Sequence, residues 1–474
     1  MPRSSLPTMT PARTPGPTRR HRPLLALSAI VGAQLMLLLD VTVVNVAIPG
    51  IGDDLGFSTT GRSWVVNVYI LAFGGLLLLG SRIGDLIGRR TALMAGVAAF
   101  TVASVAGGLA TGPATLLAAR LLQGASAALA APSTLALIAT NFREGGERQR
   151  ALSIFSAISG AGSSIGLILG GALTEWASWR WIFFVNIPIG AAILLLAPRH
   201  IAETDRHRGG RFDISGTITG TLGISSLVYA FIRVAEHGWG DGQAIGGFAA
   251  AVLLIAAFLV NETRVERPLV VLRLFADRSR VIAYSCWFLL PAGMFGVFYF
   301  VTQYMETVSG FSPLRTGAAF LPMTLLLFAA ARTAPRAVAR FGPKRTAVCG
   351  LLVGLTGMLW LATLDPGEAY VSGLAGPLVL VGLGLGFVTM PLTTMILSGV
   401  EPRDAGSASG LLQTFQQIGG TLGLSVQVTV FGTVVRHGGP DAFAHGVIAA
   451  LGTAAGFAVF ACVLLATLRV RNRA

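Results

Sequence analysis

The 474-residue chain is 53% hydrophobic and only 12% charged, whereas soluble domains are about 25% charged. This composition excludes an ordinary soluble globular protein and indicates an integral membrane protein. The net charge of +14 would suggest a nucleic-acid partner in a soluble protein, but the basic residues here lie between apolar runs, which argues against nucleic-acid binding.

The chain begins with a polar tail, residues 1–22, which is rich in proline, threonine, serine and arginine. This composition predicts a disordered segment. A secretory signal peptide would have an apolar part of only about 7–15 residues, followed by a small-residue cleavage site. The apolar run that follows this tail is longer, so we expect it to be retained.

The first apolar run, residues 24–49, contains a single charged residue, Asp40. The run is long enough to cross a bilayer, which requires roughly 20 residues. The residues that share a helical face with Asp40 have no side-chain hydrogen-bond donor: Ala33, Met36, Val43, Val44 and Ala47. Burial among such residues favours the neutral form of a carboxyl. We therefore predict that Asp40 takes up and releases a proton; the alternative is a structural acid that bonds to a neighbouring helix.

Thirteen further apolar runs follow, which makes fourteen predicted spans. Their predicted bounds are 62–80, 91–110, 114–140, 151–173, 180–197, 214–236, 244–261, 281–304, 316–333, 346–364, 371–398, 405–434 and 444–468. Alternate connections contain 29 of the 35 Lys and Arg residues. The positive-inside rule therefore places these connections and both termini in the cytoplasm.

Two short segments recur 254 residues later in the chain: Phe57-Ser58 as Phe311-Ser312, and Gly88-Arg89-Arg90 loosely as Gly342-Pro343-Lys344. Parallel repeats of six spans are a common plan of transporters. The offset leaves room for two inserted helices. We therefore predict a six-helix bundle at 23–197, a linker with two extra spans at 198–280, and a second six-helix bundle at 281–474.

Charged residues and glycines cluster between spans two and three, in the segment SRIGDLIGRR at 81–90. An aspartate here can pair with an arginine or stabilise a helix N-terminus, and glycines allow a tight turn. We predict a cytoplasmic loop formed by Arg82, Gly84, Asp85, Gly88, Arg89 and Arg90, and the family resemblance given below implies that this loop is a gate. A simple topological anchor is the alternative for each arginine.

Two later spans carry further unusual residues. Arg120 and Gln123 lie inside the apolar run of span four, where a guanidinium must find an acceptor. It could be a structural arginine bonded to backbone carbonyls. Span five carries the glycines Gly162, Gly166, Gly170 and Gly171, which suit either a helix bend or close helix packing.

In this order, the segments resemble the major facilitator superfamily, and specifically its fourteen-span drug–proton antiporters of the EmrB/QacA type, over about residues 24–470. Residues 39–49, LDVTVVNVAIP, resemble the span-one signature of that group. Residues 81–90 resemble the superfamily's loop between spans two and three, although Ser81 and Leu86 depart from its pattern. Residues 120–125 resemble a segment associated with proton transfer, and 162–171 resemble the antiporter segment, with Leu167 in place of the expected proline.

The resemblance implies an all-α membrane protein with the major facilitator fold, which works by alternating access. It implies that spans one and four adjoin, so Asp40 is a candidate acceptor for Arg120. Pairing would stabilise the charged carboxylate and separation would favour its protonation, which links protonation to conformation. Proton coupling is therefore expected at Asp40 and Arg120, and the glycines of span five favour efflux over uptake.

The resemblance also places the substrate between the two bundles. Aromatic and amide groups on spans nine and thirteen suit a small amphipathic or apolar substrate. The predicted cavity residues are Asn45, Gln123, Phe295, Tyr299, Gln413 and Gln417. The aromatic residues could instead face lipid or the helix core.

The sequence contains no phosphate-binding Walker segment, so we expect the proton gradient, rather than ATP, to supply the energy. The histidines and cysteines form no metal or nucleophile cluster within the spans, so we expect no cofactor, no metal and no enzymatic activity. We predict a monomeric exporter of drugs or natural products in the cell membrane. A proton-linked uptake symporter for a small metabolite is the alternative.

Overall fold

The computed structural model describes residues 23–58, 61–143, 146–204, 213–265, 272–364, 370–398, 400, 405–439 and 441–468. The tail at 1–22 lies outside these ranges. Within them the chain consists of helices and connecting turns, with no β-strand.

The helices of the first half are α1 (Pro23–Leu55), α2 (Trp64–Ile87), α3 (Arg89–Gly108), α4 (Pro113–Asn141), α5 (Gly146–Trp176), α6 (Trp181–Phe184) and α7 (Asn186–His200). An inserted pair follows, α8 (Ile214–His237) and α9 (Gly242–Arg264). The second half contains α10 (Arg278–Thr307), α11 (Pro313–Ala319), α12 (Leu321–Phe341), α13 (Pro343–Leu361), α14 (Gly376–Leu397), α15 (Ala405–His437) and α16 (Ala442–Ala466). Short 3₁₀ helices lie at Gly61–Ser63 and Leu272–Ala276, and a π-helical turn at Val371–Ala375 precedes α14.

When α6 with α7, and α11 with α12, are each counted as one unit, the sixteen helices of the described residues make fourteen spanning units. Twelve of them are long and apolar enough to cross a membrane, and α2 and α5 contribute the shorter described stretches Gly61–Leu77 and Ile165–Trp176. The predicted all-α fold is therefore confirmed. Several helices extend beyond their predicted ends. Helix α1 continues through Pro49 to Leu55, and the two aspartates in this last part are paired with residues outside the helix. Asp53 bonds to Arg62 and Asp54 bonds to Arg180.

The two halves have the same packing pattern. In the first half α1 packs on α5 and α7, α2 on α4, and α3 on α4 and α7. In the second half α10 packs on α15 and α16, α12 on α14, and α13 on α14 and α16. The bundles meet where α2 contacts α15 and α5 contacts α11, and the inserted α8 contacts both α2 and α15.

The repeated glycines lie at turns that require glycine. Gly88 and Gly342 have φ values of 97° and 80°, and each separates two helices of its bundle. Gly56 and Gly310, also 254 residues apart, have φ values of 71° and 65°. A positive φ is strained for residues with a Cβ atom, so the sequence repeat coincides with a shared backbone requirement.

Each spanning unit reverses the direction of the chain, so the connections α2–α3, α4–α5, α7–α8, α9–α10, α12–α13 and α14–α15 lie at one end of the molecule. These are the connections that contain most of the Lys and Arg residues. We call this end the basic end.

We predict that Gly88→Ala destabilises the protein more than Gly342→Ala does. Both variants place a Cβ atom at positive φ, which costs about 1–3 kcal/mol. Only at Gly88 would that atom also meet another side chain, since the Glu203 carboxyl carbon lies 2.6 Å from the Cβ position, whereas nothing lies within 4 Å at Gly342. Thermal unfolding midpoints of the two variants in detergent measure the difference. Equal losses would contradict the contact assigned to Glu203.

Candidate functional site

Asp40 lies midway along α1 and is 1% exposed. Its carboxylate forms an ion pair with Arg120 of α4. The other carboxylate oxygen accepts hydrogen bonds from Gln123 Nε2 at 2.9 Å and from Asn186 Nδ2 at 3.3 Å. The neighbours of Asp40 on its own helix offer no donors, as the sequence indicates, but α4 and α7 supply several.

Arg120 has partners besides Asp40. Its Nε donates to the carbonyl of Val65 on α2 at 3.0 Å, and its Nη1 donates to Gln123 Oε1 at 3.0 Å. The guanidinium carbon lies 4.3 Å from the ring centroid of Tyr69, a favourable cation–π distance. The two arrangements considered from the sequence, a pair with Asp40 and a bond to a backbone carbonyl, therefore occur together in one side chain.

Ser104 and Asn186 complete this cluster, and sequence reasoning missed both. Gln123 Nε2 donates to Ser104 Oγ at 2.9 Å, and Asn186 Nδ2 approaches the same oxygen at 3.4 Å. Both residues are fully buried. An amide inside an apolar run needs a partner, as a guanidinium does, and Asn186 lies within the predicted span 180–197. The same argument would have identified Asn186.

The cluster joins α1, α2, α3, α4 and α7 around one carboxylate. If Asp40 takes up a proton, Arg120 retains the Val65 carbonyl, the Gln123 amide oxygen and the Tyr69 ring as partners. Protonation therefore does not leave a buried guanidinium without acceptors, which is the expensive outcome when an ion pair is broken. Because Asp40 and Arg120 are each 1% exposed, proton exchange with water requires these helices to move.

The glycines of α5 bring that helix close to α1. Gly162 faces Leu38, Gly166 faces Thr42, and a Cβ atom on Gly170 would lie 2.9 Å from the Val43 carbonyl oxygen. Gly171 faces the other bundle instead, where a Cβ atom would lie 2.5 Å from the carbonyl oxygen of Pro313. The segment therefore packs α5 tightly against both α1 and α11.

The predicted gate loop contacts the connection that follows α7. Arg89 N donates to Thr204 Oγ1 at 2.9 Å and Arg90 N donates to Glu203 Oε1 at 2.8 Å. The Arg89 guanidinium folds back over Gly84 towards Ser81. The side chains of Arg82 and Asp85 lie outside the described part of the chain.

Glu203, which sequence reasoning did not single out, is the principal acceptor at the start of α3. Besides Arg90 N, its carboxylate accepts from Thr91 N at 3.1 Å and Thr91 Oγ1 at 2.6 Å. Burial alone would raise the pKa of Glu203, but the bonds from Thr91 and from the N–H groups of Arg90 and Thr204, with the charge of Arg90, hold this pKa below its usual value of 4.5. Glu203 lies in the same connection as three arginines, Arg206, Arg208 and Arg211, and an acid close to these basic residues is the signal that could have identified it.

The six predicted substrate residues occupy different surroundings. Asn45 is buried and donates to Val41 O of its own helix at 3.0 Å, and Gln123 belongs to the Asp40 cluster. Tyr299 is buried with its ring 5.0 Å from that of Phe300. The other three lie closer to the space between bundles or along α15: Phe295 packs against Gly420, Gln417 faces Gly74 of α2, and Gln413 is exposed.

The two bundles touch at the end opposite the basic end. Leu314 N donates to Glu175 Oε2 at 3.0 Å, beside the contact between Gly171 and Pro313. Asn67 Nδ2 donates to Ser425 Oγ at 3.3 Å across the α2–α15 seam. Among the described residues, no group of three or more His, Cys, Asp or Glu side chains is arranged to hold a metal ion.

We predict that Glu203→Gln lowers stability by about 1–2 kcal/mol at neutral pH, through loss of charge-assisted bonds to the start of α3. Because the folded-state pKa is depressed, the carboxylate stabilises the fold above its unfolded-state pKa, and this contribution disappears as the pH falls through the folded-state pKa. The difference in thermal midpoint between variant and wild type should therefore shrink on acidification. Glu147→Gln, at an exposed position of the same end, is the control and should show no such trend.

Comparison with known proteins shows the family and the fold to which the chain belongs. The model of the Major Facilitator Superfamily matches residues 30–424. The chain is 40% identical to the puromycin resistance protein pur8 of Streptomyces alboniger, over 93% of this chain and 90% of that one. It is 39% identical to the cephamycin export protein CmcT of Amycolatopsis lactamdurans, over 86% and 85% of the two chains. The fold matches the crystal structure of the POT family transporter PepTSo with a TM-score of 0.70 and 15% identity, over 93% of this chain and 97% of that one. The chain therefore belongs to the Major Facilitator Superfamily, as its sequence motifs predict.

Proposed function

We propose that the protein is a proton-coupled exporter of small apolar or amphipathic molecules, of the antibiotic or natural-product kind. The observation that carries the proposal is the fully buried ion pair between Asp40 and Arg120 inside one bundle. Relatives named for puromycin resistance and cephamycin export favour export over uptake. The protein would lie in the cell membrane with its basic end and both termini in the cytoplasm, and would act as a monomer without a cofactor, ATP or enzymatic activity.

The first step of the proposed cycle concerns the charged form of Asp40. The ion pair with Arg120 and the bonds from Gln123 and Asn186 hold α1 against α4 and α7. A buried pair of this kind is stabilised by its mutual attraction and by the hydrogen bonds that satisfy its remaining atoms. In this state the bundles are in contact at the end opposite the basic end.

The second step is protonation. A neutral Asp40 no longer attracts Arg120, which keeps its bonds to the Val65 carbonyl and the Gln123 amide. The attachment of α1 to α4 weakens while the guanidinium remains satisfied. One charge that crosses 100 mV supplies about 2.3 kcal/mol, which is of the same order as the change expected from losing a charge-assisted hydrogen bond.

The third step transmits the change to the seam between the bundles. Helix α1 carries Asp40 and packs on the glycine face of α5. The same helix α5 contacts α11 of the other bundle at Gly171 and Glu175. A shift of α1 therefore reaches an inter-bundle contact through a single intervening helix, and this short route supports the assignment of Asp40 as the coupling residue.

We predict that Asp40→Asn abolishes transport driven by a pH gradient. Everted vesicles that are acidified inside should accumulate radiolabelled puromycin with the wild-type protein, and a protonophore should abolish the accumulation. Asp40→Asn should show no response to the gradient because an amide cannot titrate, while Asp40→Glu should retain part of it. The control, Asp53→Asn, changes an aspartate on the same helix whose side chain is 76% exposed, and should behave as the wild type.

Normal gradient-driven accumulation by Asp40→Asn would overturn the proton role of this residue. If Asp40→Glu were as inactive as Asp40→Asn, the position of the carboxylate within the cluster would be required as well as its ability to titrate. Exchange of labelled for unlabelled puromycin without a gradient shows whether the variants still bind and move substrate.

We also predict that Arg120→Lys reduces transport by about tenfold or more, because an ammonium cannot reproduce the fork that bonds Asp40, Gln123 and the Val65 carbonyl. Arg180→Lys is a matched control. Arg180 also pairs with an aspartate, Asp54, donates to a carbonyl, that of Ala110, and lies 4.3 Å from a ring centroid, that of Trp179, but its side chain is 36% exposed. Initial rates of puromycin uptake into vesicles measure both. Similar losses in the two variants would show that burial of the Arg120 network is not what transport requires.

A further inference from the structure

A cavity of about 470 Å³ lies between the inserted pair and the two bundles. Its walls come from α2, α8, α9, α10 and α15, together with Phe275 just before α10. We call it the side cavity. None of the six substrate residues predicted from the sequence is part of its described lining, because that prediction considered the space between the bundles and left the inserted pair out.

The inserted pair is fastened to the bundles in the half of the molecule away from the basic end. Thr429 Oγ1 of α15 donates to Phe231 O of α8 at 2.7 Å, and Arg436 Nη1 donates to Val234 O at 3.0 Å. Towards the basic end the two inserted helices are tied to each other, since Asn261 Nδ2 donates to both carboxylate oxygens of Asp213 at 2.8 and 2.7 Å. The side cavity lies on the basic-end side of the bonds made by Thr429 and Arg436, between the inserted pair and the α2–α15 seam.

Among the described lining residues of the side cavity, the only polar side chains are three threonines. Four aromatic rings contribute to the lining: Phe258, Phe275, Phe288 and Phe415. The hydroxyl of Thr217 is occupied, since it donates to Asp213 O at 2.9 Å. The hydroxyl of Thr221 is occupied as well, since it donates to Gly75 O at 3.2 Å. The hydroxyl of Thr414 is buried and has no hydrogen-bond partner, and a buried polar group without a partner costs about 1–3 kcal/mol. Rotation about χ1 of Thr414 would turn this hydroxyl towards the side cavity, and a ligand with a single hydrogen-bonding group would then remove the cost.

The side cavity lies close to the membrane-facing surface. Leu259 of α9 lines it and is nevertheless 54% exposed. Because α9 is a spanning helix, the exposed residues on its opposite face, such as Leu253 at 71% exposed, face the hydrocarbon of the bilayer. The cavity is therefore separated from the lipid by one layer of side chains.

We infer that the side cavity binds the transported molecule as it arrives from the membrane leaflet at the basic end, and that this molecule has an apolar body and one group that hydrogen-bonds to Thr414. The inference rests on the proposed export function and adds an entry site to it. The volume is within the range of about 300–1,000 Å³ that is usual for small-molecule sites.

An acyl chain of a membrane lipid is the other possible occupant, and two observations favour the transported molecule. The middle of an acyl chain has no group to satisfy Thr414, and both bundles contribute to the wall, through Gly74 and Gly75 of α2 and Phe415 of α15. On α15 the wall continues directly into the amide-bearing residues Gln413 and Gln417. A molecule bound here therefore lies at the moving seam, beside the polar face that leads between the bundles.

The test measures binding of Hoechst 33342, a dye that partitions into membranes, to the full-length protein in phosphatidylcholine nanodiscs. Leu259→Trp and Ile418→Trp fill the side cavity from α9 and α15, and Leu253→Trp is the matched control on the membrane-facing side of α9, where the leucine is 71% exposed. We expect about tenfold weaker binding in both filling variants, less than a twofold change in the control, and a loss of about fivefold in Thr414→Val, the value of one hydrogen bond.

Absence of dye binding to the wild type, or equal dissociation constants for Leu259→Trp, Ile418→Trp and Leu253→Trp, would overturn the inference. A photoreactive phosphatidylcholine in the same nanodiscs provides a further test: labelling of the cavity helices that the dye does not displace would identify a lipid as the occupant and also overturn it. The transport proposal is tested separately. If binding follows the expected pattern but energised vesicles build no dye gradient, the side cavity stands and the export function fails.

Discussion

The rest of the molecule depends on the charge buried between Asp40 and Arg120. Neither group could remain in this apolar interior alone, since removal of one partner from a buried pair typically costs 3–5 kcal/mol. The pair therefore requires Gln123, Asn186 and the Val65 carbonyl around it, and those groups come from three different helices. A single carboxylate thus determines how α1, α2, α4 and α7 are positioned relative to one another.

Because the helices are closely packed, a displacement at the Asp40 cluster is transmitted to helices that do not touch it. Protein interiors transmit displacement because they contain few voids. The glycines of α5 have no side chains that could rotate to accommodate a shift of α1. At Gly170 the two nearest opposing atoms belong to the backbone of Val43, and at Gly171 the three nearest belong to the backbone of Pro313 and Leu314. Backbone atoms cannot rotate away as a side chain can, so α1, α5 and α11 must move together or lose contact.

The sequence predicts features that depend on local patterns, such as the spans and turns. It does not predict which side chains meet when helices distant in the chain pack together. The apolar runs predict the spans, a lone acid and a lone arginine single out Asp40 and Arg120, and the glycines of the segment 81–90 predict the turn at Gly88. Glu203, Asn186 and Thr414 were missed because their partners, or the cavity they line, come from helices far away in the chain. Hydrophobic periodicity fixes which residues form a helix, but in a helix that is apolar on all sides it does not say which neighbour each face meets.

Because the two bundles have the same helix pairing, the surroundings of Asp40 and Arg120 can be compared with the equivalent positions of the second bundle. The residue 254 positions after Asp40 is Met294, which is 5% exposed, and the residue 254 positions after Arg120 is Leu374, which is 2% exposed. Near Met294 the second bundle has only a void of about 20 Å³ among apolar residues such as Leu351 and Met358. Among the described residues, the two bundles thus share helix pairing and turn glycines, yet the acid at this depth, Asp40, lies in the first bundle. In the proposed cycle the second bundle responds through its contacts with the first, of which the α2–α15 and α5–α11 seams are the most extensive. The side cavity lies against the α2–α15 seam, where an arriving molecule would contact both bundles at once.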